Sequence, residues 1–180
     1  MLLVVDNGSA YTKSLYHLLS KKGIKFITLT FDRIILSDLS KYSSVILSGR
    51  KQNNSMMNMI NSRIIQHAVS ERKPLLGICY GAEILALTLG GTLRKMEQMH
   101  KGNQEIEILK TNPLCSGKIN VFESHSYLIS TLDNKFSHIA KSNVCNFEII
   151  QYDNLSIFGT QFHPEMSDDG KLLLEKFVAI

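Results

Sequence analysis

A cysteine enclosed by two glycines is the residue whose type and spacing most strongly suggest chemistry. Cys79 has Gly77 two positions before it and Gly81 two positions after it, and an apolar run that begins at Pro74 leads into the segment. The pattern G-x-C-x-G is the thiol counterpart of the nucleophile elbow, a sharp turn from a strand into a helix. Side chains at the two glycine positions would collide in such a turn. The pattern therefore predicts a nucleophilic thiol at a helix N-terminus, where N–H groups and the helix dipole favour the thiolate.

The alternative for Cys79 is a buried and inert cysteine at the end of a strand, since free cysteine is among the most buried residue types. If the thiol does react, the backbone N–H of Tyr80 is placed to donate a hydrogen bond to an oxyanion. Cys115 and Cys145 lack the glycine pattern and are predicted to be structural.

A thiol nucleophile needs a base, and the base needs a group that orients it. His163 follows an apolar segment and precedes Pro164 and Glu165. Proline ends a strand because it cannot donate to a ladder, so His163 is predicted at a sheet edge with a carboxylate two residues on. His125 also follows a strand, and it is the main rival for the base, although a role in a pocket or an interface suits it better. The other histidines are predicted to lie on the surface: His17, His67, His100 and His138.

The elements that must position these residues alternate between strand and helix in the first half of the chain. Short apolar runs predict strands at 2–5, 25–30, 44–49 and 74–79, and amphipathic segments between them predict helices. Such alternation is typical of a parallel sheet covered by helices. The second half shows short strand candidates at 105–110, 119–123, 147–152 and 156–162, and then a final helix over 168–180. We expect a single-domain α/β fold over residues 1–180, flavodoxin-like or Rossmann-like, with a mostly parallel sheet and a small antiparallel extension.

Composition bounds the remaining possibilities. The chain has 180 residues, 44% of them hydrophobic and 20% charged, which suits one soluble domain that needs no metal or disulfide. No apolar run is long enough to span a membrane. The net charge of +4 is spread along the chain, so it does not indicate nucleic-acid binding. Three scattered cysteines favour neither a disulfide framework nor a zinc site, and a reducing cytoplasm is the expected location.

Several motifs together resemble the class I glutamine amidotransferases over essentially the whole chain. They occur in the order of that family: VVDNGSAYTKSL, ILSG, GICYGAE, LGG, VFESH and FGTQFHPE. The resemblance implies that Cys79 attacks the side-chain amide of L-glutamine, that His163 takes the thiol proton and passes it to the leaving ammonia, and that Glu165 holds His163. It also implies substrate or oxyanion contacts from the elbow and strand-end residues, namely Tyr80, Gly81, Gly49, Arg50, Glu83 and Gln161.

Within the family, the resemblance is to the separate amidotransferase subunits of archaeal GMP synthetases. It implies a partner, an ATP-dependent synthetase subunit of the ATP-pyrophosphatase type, which would use the ammonia to convert XMP to GMP. Neither GxxxxGK[ST] nor GxGxxG occurs in the chain, so no cofactor is expected on it, and ATP and Mg²⁺ are expected only on the partner.

Three positions depart from the family pattern. Glu83 stands where the family has a glutamine that helps to hold the substrate, and its charge would raise the pKa of the Cys79 thiol. Arg50 stands where a glycine supplies an oxyanion N–H, although its guanidinium could pair with Glu83. Tyr127 stands where an aspartate follows the ESH histidine, so His125 and Tyr127 are candidate interface residues. These departures leave two alternatives open: an altered or inactive protein that binds a partner or ligand, and a hydrolase of another γ-glutamyl compound.

Overall fold

Nine strands and four α-helices make up the computed structural model, which describes all 180 residues. The strands are β1 (Leu2–Asn7), β2 (Phe26–Thr30), β3 (Ser44–Arg50), β4 (Leu75–Ile78), β5 (Thr92–Ile108), β6 (Lys118–Thr131), β7 (Phe136–Lys141), β8 (Ile149–Tyr152) and β9 (Ile157–Thr160). The helices are α1 (Thr12–Lys21), α2 (Ser55–Ser70), α3 (Tyr80–Thr88) and α4 (Asp168–Val178). Short 3-10 turns occupy Phe31–Arg33, Leu36–Lys41 and Pro164–Met166.

All nine strands belong to one mixed sheet with the order β2-β1-β3-β4-β9-β8-β7-β5-β6. The pairs β1–β2, β1–β3, β3–β4 and β4–β9 are parallel, and the remaining pairs are antiparallel. The carboxyl ends of parallel strands meet at one edge of the sheet. The ends of β3, β4 and β9 therefore bring together the residues whose types and spacing suggested chemistry.

The parallel part of the sheet is buried on both faces, which explains why its strands are continuous apolar runs. Along β1 the side chains alternate, so that Leu2 and Val4 belong to one core cluster and Leu3 and Val5 to the other. Helices α1 and α4 pack in the first cluster, and α2 and α3 pack in the second. This three-layer arrangement confirms the predicted α/β fold.

The antiparallel part is larger than expected. Strands β5 and β6 span 17 and 14 residues, and they pair along most of their length. Strand β7 was not expected at all. Most of β5 is polar and exposed on the surface, so it lacks the apolar alternation by which a strand is recognised. Its pairing register shifts between Lys95 and His100, so the strand bulges there. No helix is both long and apolar enough to cross a membrane.

Candidate active site

Cys79 occupies the turn between β4 and α3 with φ 51° and ψ −104°, a strained backbone for a residue other than glycine. A Cβ atom on Gly77 would collide with the carbonyl oxygen of Gly81, and one on Gly81 would collide with the carbonyl oxygen of Leu47. The two glycines are therefore required by close backbone packing. The structure has the backbone of a nucleophile elbow, with the thiol at the first turn of a helix.

His163 lies just beyond β9, and its orientation is fixed on three sides. Its Nδ1 atom is 2.9 Å from Oε1 of Glu165, and both side chains are buried. Its backbone N–H donates to the carbonyl oxygen of Phe122 at 2.8 Å. The ring of Tyr11 packs against the imidazole with 4.5 Å between the ring centroids. Because Nδ1 faces a carboxylate, Nε2 is the nitrogen left for acid–base chemistry.

Gly49 at the end of β3 makes room for this histidine. A Cβ atom there would lie 2.9 Å from Cε1 of His163 and 3.3 Å from Oγ of Ser9. The first of these contacts is too short for two carbon atoms, so a larger residue would displace the imidazole. The role that geometry gives to Gly49 is to position His163.

One cavity of about 490 Å³ brings together most of the residues predicted from the sequence. Its lining includes Cys79, His163, Glu83, Arg50 and His125. Further lining residues come from the pocket floor and the β5–β6 hairpin, namely Tyr80, Ser124, Tyr127, Met99 and Lys101. No group of three or more His, Cys, Asp or Glu side chains is arranged to hold a metal ion.

The environment of Cys79 opposes ionisation of its thiol. Burial raises the pKa of Cys79, and the nearby carboxylates of Glu83, Glu123 and Glu165 raise it further. The backbone N–H of Tyr80 faces the sulfur and lowers the pKa, but by less than burial raises it. The sulfur also lies 3.8 Å from the carbonyl oxygen of Ser124, which only a thiol can approach as a donor. The resting residue is therefore a thiol, and it needs a base to become a nucleophile.

Glu83 is almost completely buried, with 5% of its surface exposed, yet its side chain lines the cavity. Burial raises the pKa of its carboxyl group, while the charges of Arg50 and His125 lower it. The side chain of Gln161 lies beside that of Glu83 and does not line the cavity. The Gln161 side chain is fully buried, and its Oε1 accepts a hydrogen bond from the backbone N–H of Ile129 at 3.3 Å. Gln161 and Gly81 are thus supporting residues and do not face the cavity.

Arg50 makes no ion pair with Glu83, contrary to the pairing considered from the sequence. Its guanidinium lies over the ring of Tyr80, 4.2 Å from the centroid, and donates to the side chains of Asn53 and Asn58. The Tyr80 hydroxyl donates to the same oxygen of Asn58 at 2.9 Å. Stacking on an aromatic face is a favourable alternative to an ion pair for a guanidinium. Arg50 therefore acts on Glu83 through its field rather than by direct contact.

His125 and Tyr127 both line the cavity, so the structure places them in the pocket wall. His125 is buried, and its Nδ1 lies 3.0 Å from the carbonyl oxygen of Tyr127. The side chain of Tyr127 is 40% exposed at the mouth of the cavity. Two residues near the site were missed from the sequence: Tyr11, which packs against His163, and Glu148, whose buried carboxyl lies beside Glu123 and His125. Both positions depend on contacts between segments that are distant in sequence, for which no local signal exists.

Comparison with protein families shows that residues 3–179 match the model of "Glutamine amidotransferase class-I". A curated relative from Pyrococcus furiosus, a glutamine-hydrolyzing subunit of GMP synthase, is 31% identical over 100% of this chain and 98% of its own length. The glutamine-hydrolyzing GMP synthase of Salmonella typhimurium is 26% identical over 98% of this chain but only 36% of its own length.

The solved structures agree with the sequence comparisons. The crystal structure of a candidate GMP synthase subunit from Thermoplasma acidophilum superposes with a TM-score of 0.87 at 26% identity, and covers 99% of this chain and 92% of that one. A glutamine amidotransferase from Thermotoga maritima has a TM-score of 0.79 at 20% identity, covering 97% and 80% of the two chains. The second likeness is evidence of a common fold.

Proposed function

Because the chain belongs to the class I glutamine amidotransferase family, we propose that it hydrolyses the side-chain amide of L-glutamine through Cys79, His163 and Glu165 and delivers the ammonia to a separate synthetase. The observation that carries the proposal is a strained elbow cysteine in the same cavity as a histidine whose Nδ1 faces a buried carboxylate. A nucleophile, a base and an orienting group are the parts that covalent amide cleavage needs.

The first half of the reaction forms a thioester. His163 Nε2 takes the thiol proton as Cys79 Sγ attacks the amide carbon of L-glutamine. The tetrahedral oxyanion is stabilised by the backbone N–H of Tyr80, because the first N–H groups of a helix have no intrahelical acceptor. The backbone N–H of Arg50 is the second candidate donor, although the backbone of Arg50 already pairs with Gly8. The imidazolium then gives its proton to the departing nitrogen, and ammonia leaves.

The second half restores the thiol. His163 takes a proton from a water molecule, whose oxygen attacks the γ-glutamyl thioester on Cys79. The collapse of the second tetrahedral intermediate expels the sulfur, which regains a proton from the imidazolium, and glutamate is released. Glu165, which faces Nδ1 of His163, stabilises the imidazolium formed in each half, as carboxylates do in other triads.

Glu83 suits this substrate in spite of its departure from the family pattern. L-Glutamine carries an α-ammonium group, and a largely buried carboxylate in the cavity is a strong acceptor for it. Arg50, which lines the same cavity, is available for the α-carboxylate. A second candidate function follows from the same observation: the cavity would take another γ-glutamyl compound that keeps these two charged groups.

The partner that we propose is an ATP-pyrophosphatase subunit which converts XMP to GMP in the cytoplasm, with ATP and Mg²⁺ bound on that subunit. The Pyrococcus relative bears the name of a glutamine-hydrolysing subunit, and the Salmonella relative carries nearly two thirds of its length outside the matched region. Transfer of ammonia from a glutamine-hydrolysing part to a second part that uses it accounts for both observations, since the two parts would be separate chains in the first relative and one chain in the second. Tyr127 and the other exposed residues at the mouth of the cavity are the surface from which ammonia would leave.

A reconstitution with labelled substrate tests this function. The chain is mixed with the ATP-pyrophosphatase subunit of the same organism, XMP, ATP, Mg²⁺ and glutamine labelled with ¹⁵N in its side-chain amide. We expect the ¹⁵N in the amino group of GMP, and no labelled GMP when Cys79→Ala replaces the parent chain. Glutamate formation without labelled GMP would point to another acceptor, and the absence of both products would contradict the proposal.

A further inference from the structure

A buried cluster of two carboxylic acids and an imidazole adjoins the cavity through His125, and the proposed mechanism uses none of the three groups. Glu123, His125 and Glu148 are 0%, 4% and 1% exposed. His125 Nε2 lies 3.0 Å from Oε2 of Glu123. Both carboxyl oxygens of Glu123, Oε2 of Glu148 and Nε2 of His125 are buried and have no conventional hydrogen-bond partner. Buried polar atoms are costly to leave unpaired. We therefore expect the three groups to share protons, which would supply the missing hydrogen bonds.

The contacts of His125 determine where one proton lies. A backbone carbonyl can only accept, so the Nδ1 atom that faces the Tyr127 carbonyl oxygen at 3.0 Å must carry a hydrogen. In the neutral ring Nε2 is then an acceptor, and a bare carboxylate at 3.0 Å would be an acceptor as well. The gap between Nε2 and Glu123 is therefore filled by one proton, bound either to the imidazole or to the carboxyl group.

The contact between Glu123 and Glu148 needs a second proton. The two carboxyl groups face each other closely enough for one to donate to the other. Burial raises the pKa of Glu123 to about 7 and that of Glu148 well above its ordinary value. Burial also lowers the pKa of His125. At a pH below about 7, these three pKa shifts favour a resting cluster in which both acids are protonated and the imidazole is neutral.

We propose that Glu123, His125 and Glu148 form an uncharged proton-sharing trio which makes His125 cationic when negative charge develops at Cys79. At rest, Glu148 donates to Glu123, and Glu123 donates to Nε2 of His125. When the thiolate forms, the proton on Glu123 moves to Nε2. One O–H bond breaks and one N–H bond forms, so the trio gains no net charge. The imidazolium faces the cavity, and the compensating carboxylate lies behind it.

This inference rests on Cys79 being the nucleophile of the proposed function. Glu123 and Glu148 are positioning residues, since they act through His125. The ionisable and charged groups that surround the trio are Cys79, Glu83 and His163 on the cavity side, His100 on β5, and Cys145 with Arg94 on the far side. Within the trio the protons are shared between Glu123, His125 and Glu148. The proton can therefore move from Glu123 to His125 in response to a charge at Cys79 without exchange with solvent.

Nuclear magnetic resonance of ¹⁵N-labelled histidine tests the proton positions without any substrate. In the parent chain we expect neutral His125 as the Nδ1–H tautomer. Cys79→Asp places a fixed acidic group at the nucleophile position, and Cys79→Asn is its uncharged match. We expect imidazolium at His125 in Cys79→Asp and neutral imidazole in Cys79→Asn. Adding Glu123→Gln to Cys79→Asp should keep His125 neutral, because the Gln amide can donate to Nε2 but cannot give up its proton.

The rate at which iodoacetamide alkylates Cys79 gives a second measurement. At about pH 6, where Glu123 of the parent is protonated and holds no charge against the thiolate, we expect Glu123→Gln to lower this rate about tenfold, and Glu107→Gln, an exposed control on β5, to leave it unchanged. Glu148→Gln keeps an N–H donor toward Glu123. In the double variant of Glu148→Gln and Cys79→Asp, His125 should therefore still take the proton from Glu123.

Two results would overturn the proposal: an Nε2–H tautomer of neutral His125, or the same charge on His125 in Cys79→Asp and Cys79→Asn. If Glu123→Gln does not fold, the comparison of Cys79→Asp with Cys79→Asn is sufficient to decide. Neither measurement uses glutamine. A chain that fails to cleave glutamine but shows the expected changes in His125 protonation and alkylation rate would therefore contradict the proposed function and still support the proton-sharing trio.

Discussion

The backbone N–H of Glu83 donates to the carbonyl oxygen of Cys79 at 3.0 Å, which fixes a carboxylate one helical turn beyond the nucleophile. Because Glu83 is buried on the same cavity wall, its charge raises the pKa of the Cys79 thiol. The same carboxylate is the group that we assign to the α-ammonium of the substrate. We therefore expect Glu83 to strengthen substrate binding while it reduces the reactivity of the thiol, and the two effects can be separated by experiment.

Glu83→Gln should move these two effects in opposite directions. Without the negative charge, the pKa of Cys79 falls, and we expect alkylation of the thiol at neutral pH to become about threefold to tenfold faster. The KM for glutamine should rise, because the α-ammonium group loses a charged acceptor. Glu71→Gln, an exposed substitution at the end of α2, is the control. A slower alkylation in Glu83→Gln would show that the carboxylate activates the thiol.

Gly49→Ala tests how tightly His163 is held. The added methyl group would lie 2.9 Å from Cε1 of His163, so we expect the imidazole to move away from its working position. Displacement of a base by about 1 Å costs on the order of 10²-fold in rate, and kcat should fall by about that factor. Alkylation of Cys79 by a small reagent should change less, since iodoacetamide does not need an aligned base. An unchanged kcat would mean that the histidine is not closely packed during the reaction.

Glu165→Gln removes the charge that faces Nδ1 of His163 but keeps an acceptor oxygen. The imidazolium formed in both halves of the reaction loses its counter-ion, and we expect kcat to fall by about 10²–10⁴-fold with little change in KM. Glu175→Gln, on the surface of α4, should retain the parent kcat. Steady-state kinetics of glutamate release measures both. If the kcat of Glu165→Gln is within about threefold of the parent value, another group must orient His163.

The buried acid Glu123 should make the stability of the chain depend on pH. Its pKa is raised from the ordinary 4.5 to about 7 in the folded chain, so folding favours the protonated form. That contribution is fully present below the ordinary value and is lost as pH rises through about 7. Relative to Glu123→Gln, we expect the free energy of unfolding of the parent to fall by up to about 3 kcal/mol between about pH 4 and about pH 8. Urea titrations at a series of pH values measure this difference, and parallel curves would contradict it.

Much of the fold could be predicted from the sequence because its first half obeys simple patterns. Short apolar runs mark the parallel strands, which are buried on both faces, and the glycines around Cys79 mark a turn that no larger residue could occupy. His163 and Glu165 were predictable because they are neighbours in sequence. Their 2.9 Å contact needs only a local turn, which Pro164 begins.

The remaining features depend on long-range pairing, which leaves little trace in local sequence. The hairpin of β5 and β6 is polar over much of its length, so its 17- and 14-residue strands were predicted to be short. Glu148 lies beside Glu123 and His125 because the neighbouring strand β8 pairs with β7 and β9. The position of Arg50 over Tyr80 depends on α2 supplying Asn58, whereas from the sequence a pairing of Arg50 with Glu83 was considered as one alternative.

Covalent trapping of Cys79 tests the central claim most directly. The pure chain is incubated with a diazo-ketone analogue of glutamine, alone and with the synthetase subunit, and its intact mass is then measured. We predict a single adduct on the parent chain, its absence in Cys79→Ala, and slower formation in Glu165→Gln. A chain that forms no adduct under either condition, or an adduct that persists in Cys79→Ala, would contradict the assignment of Cys79 as the nucleophile.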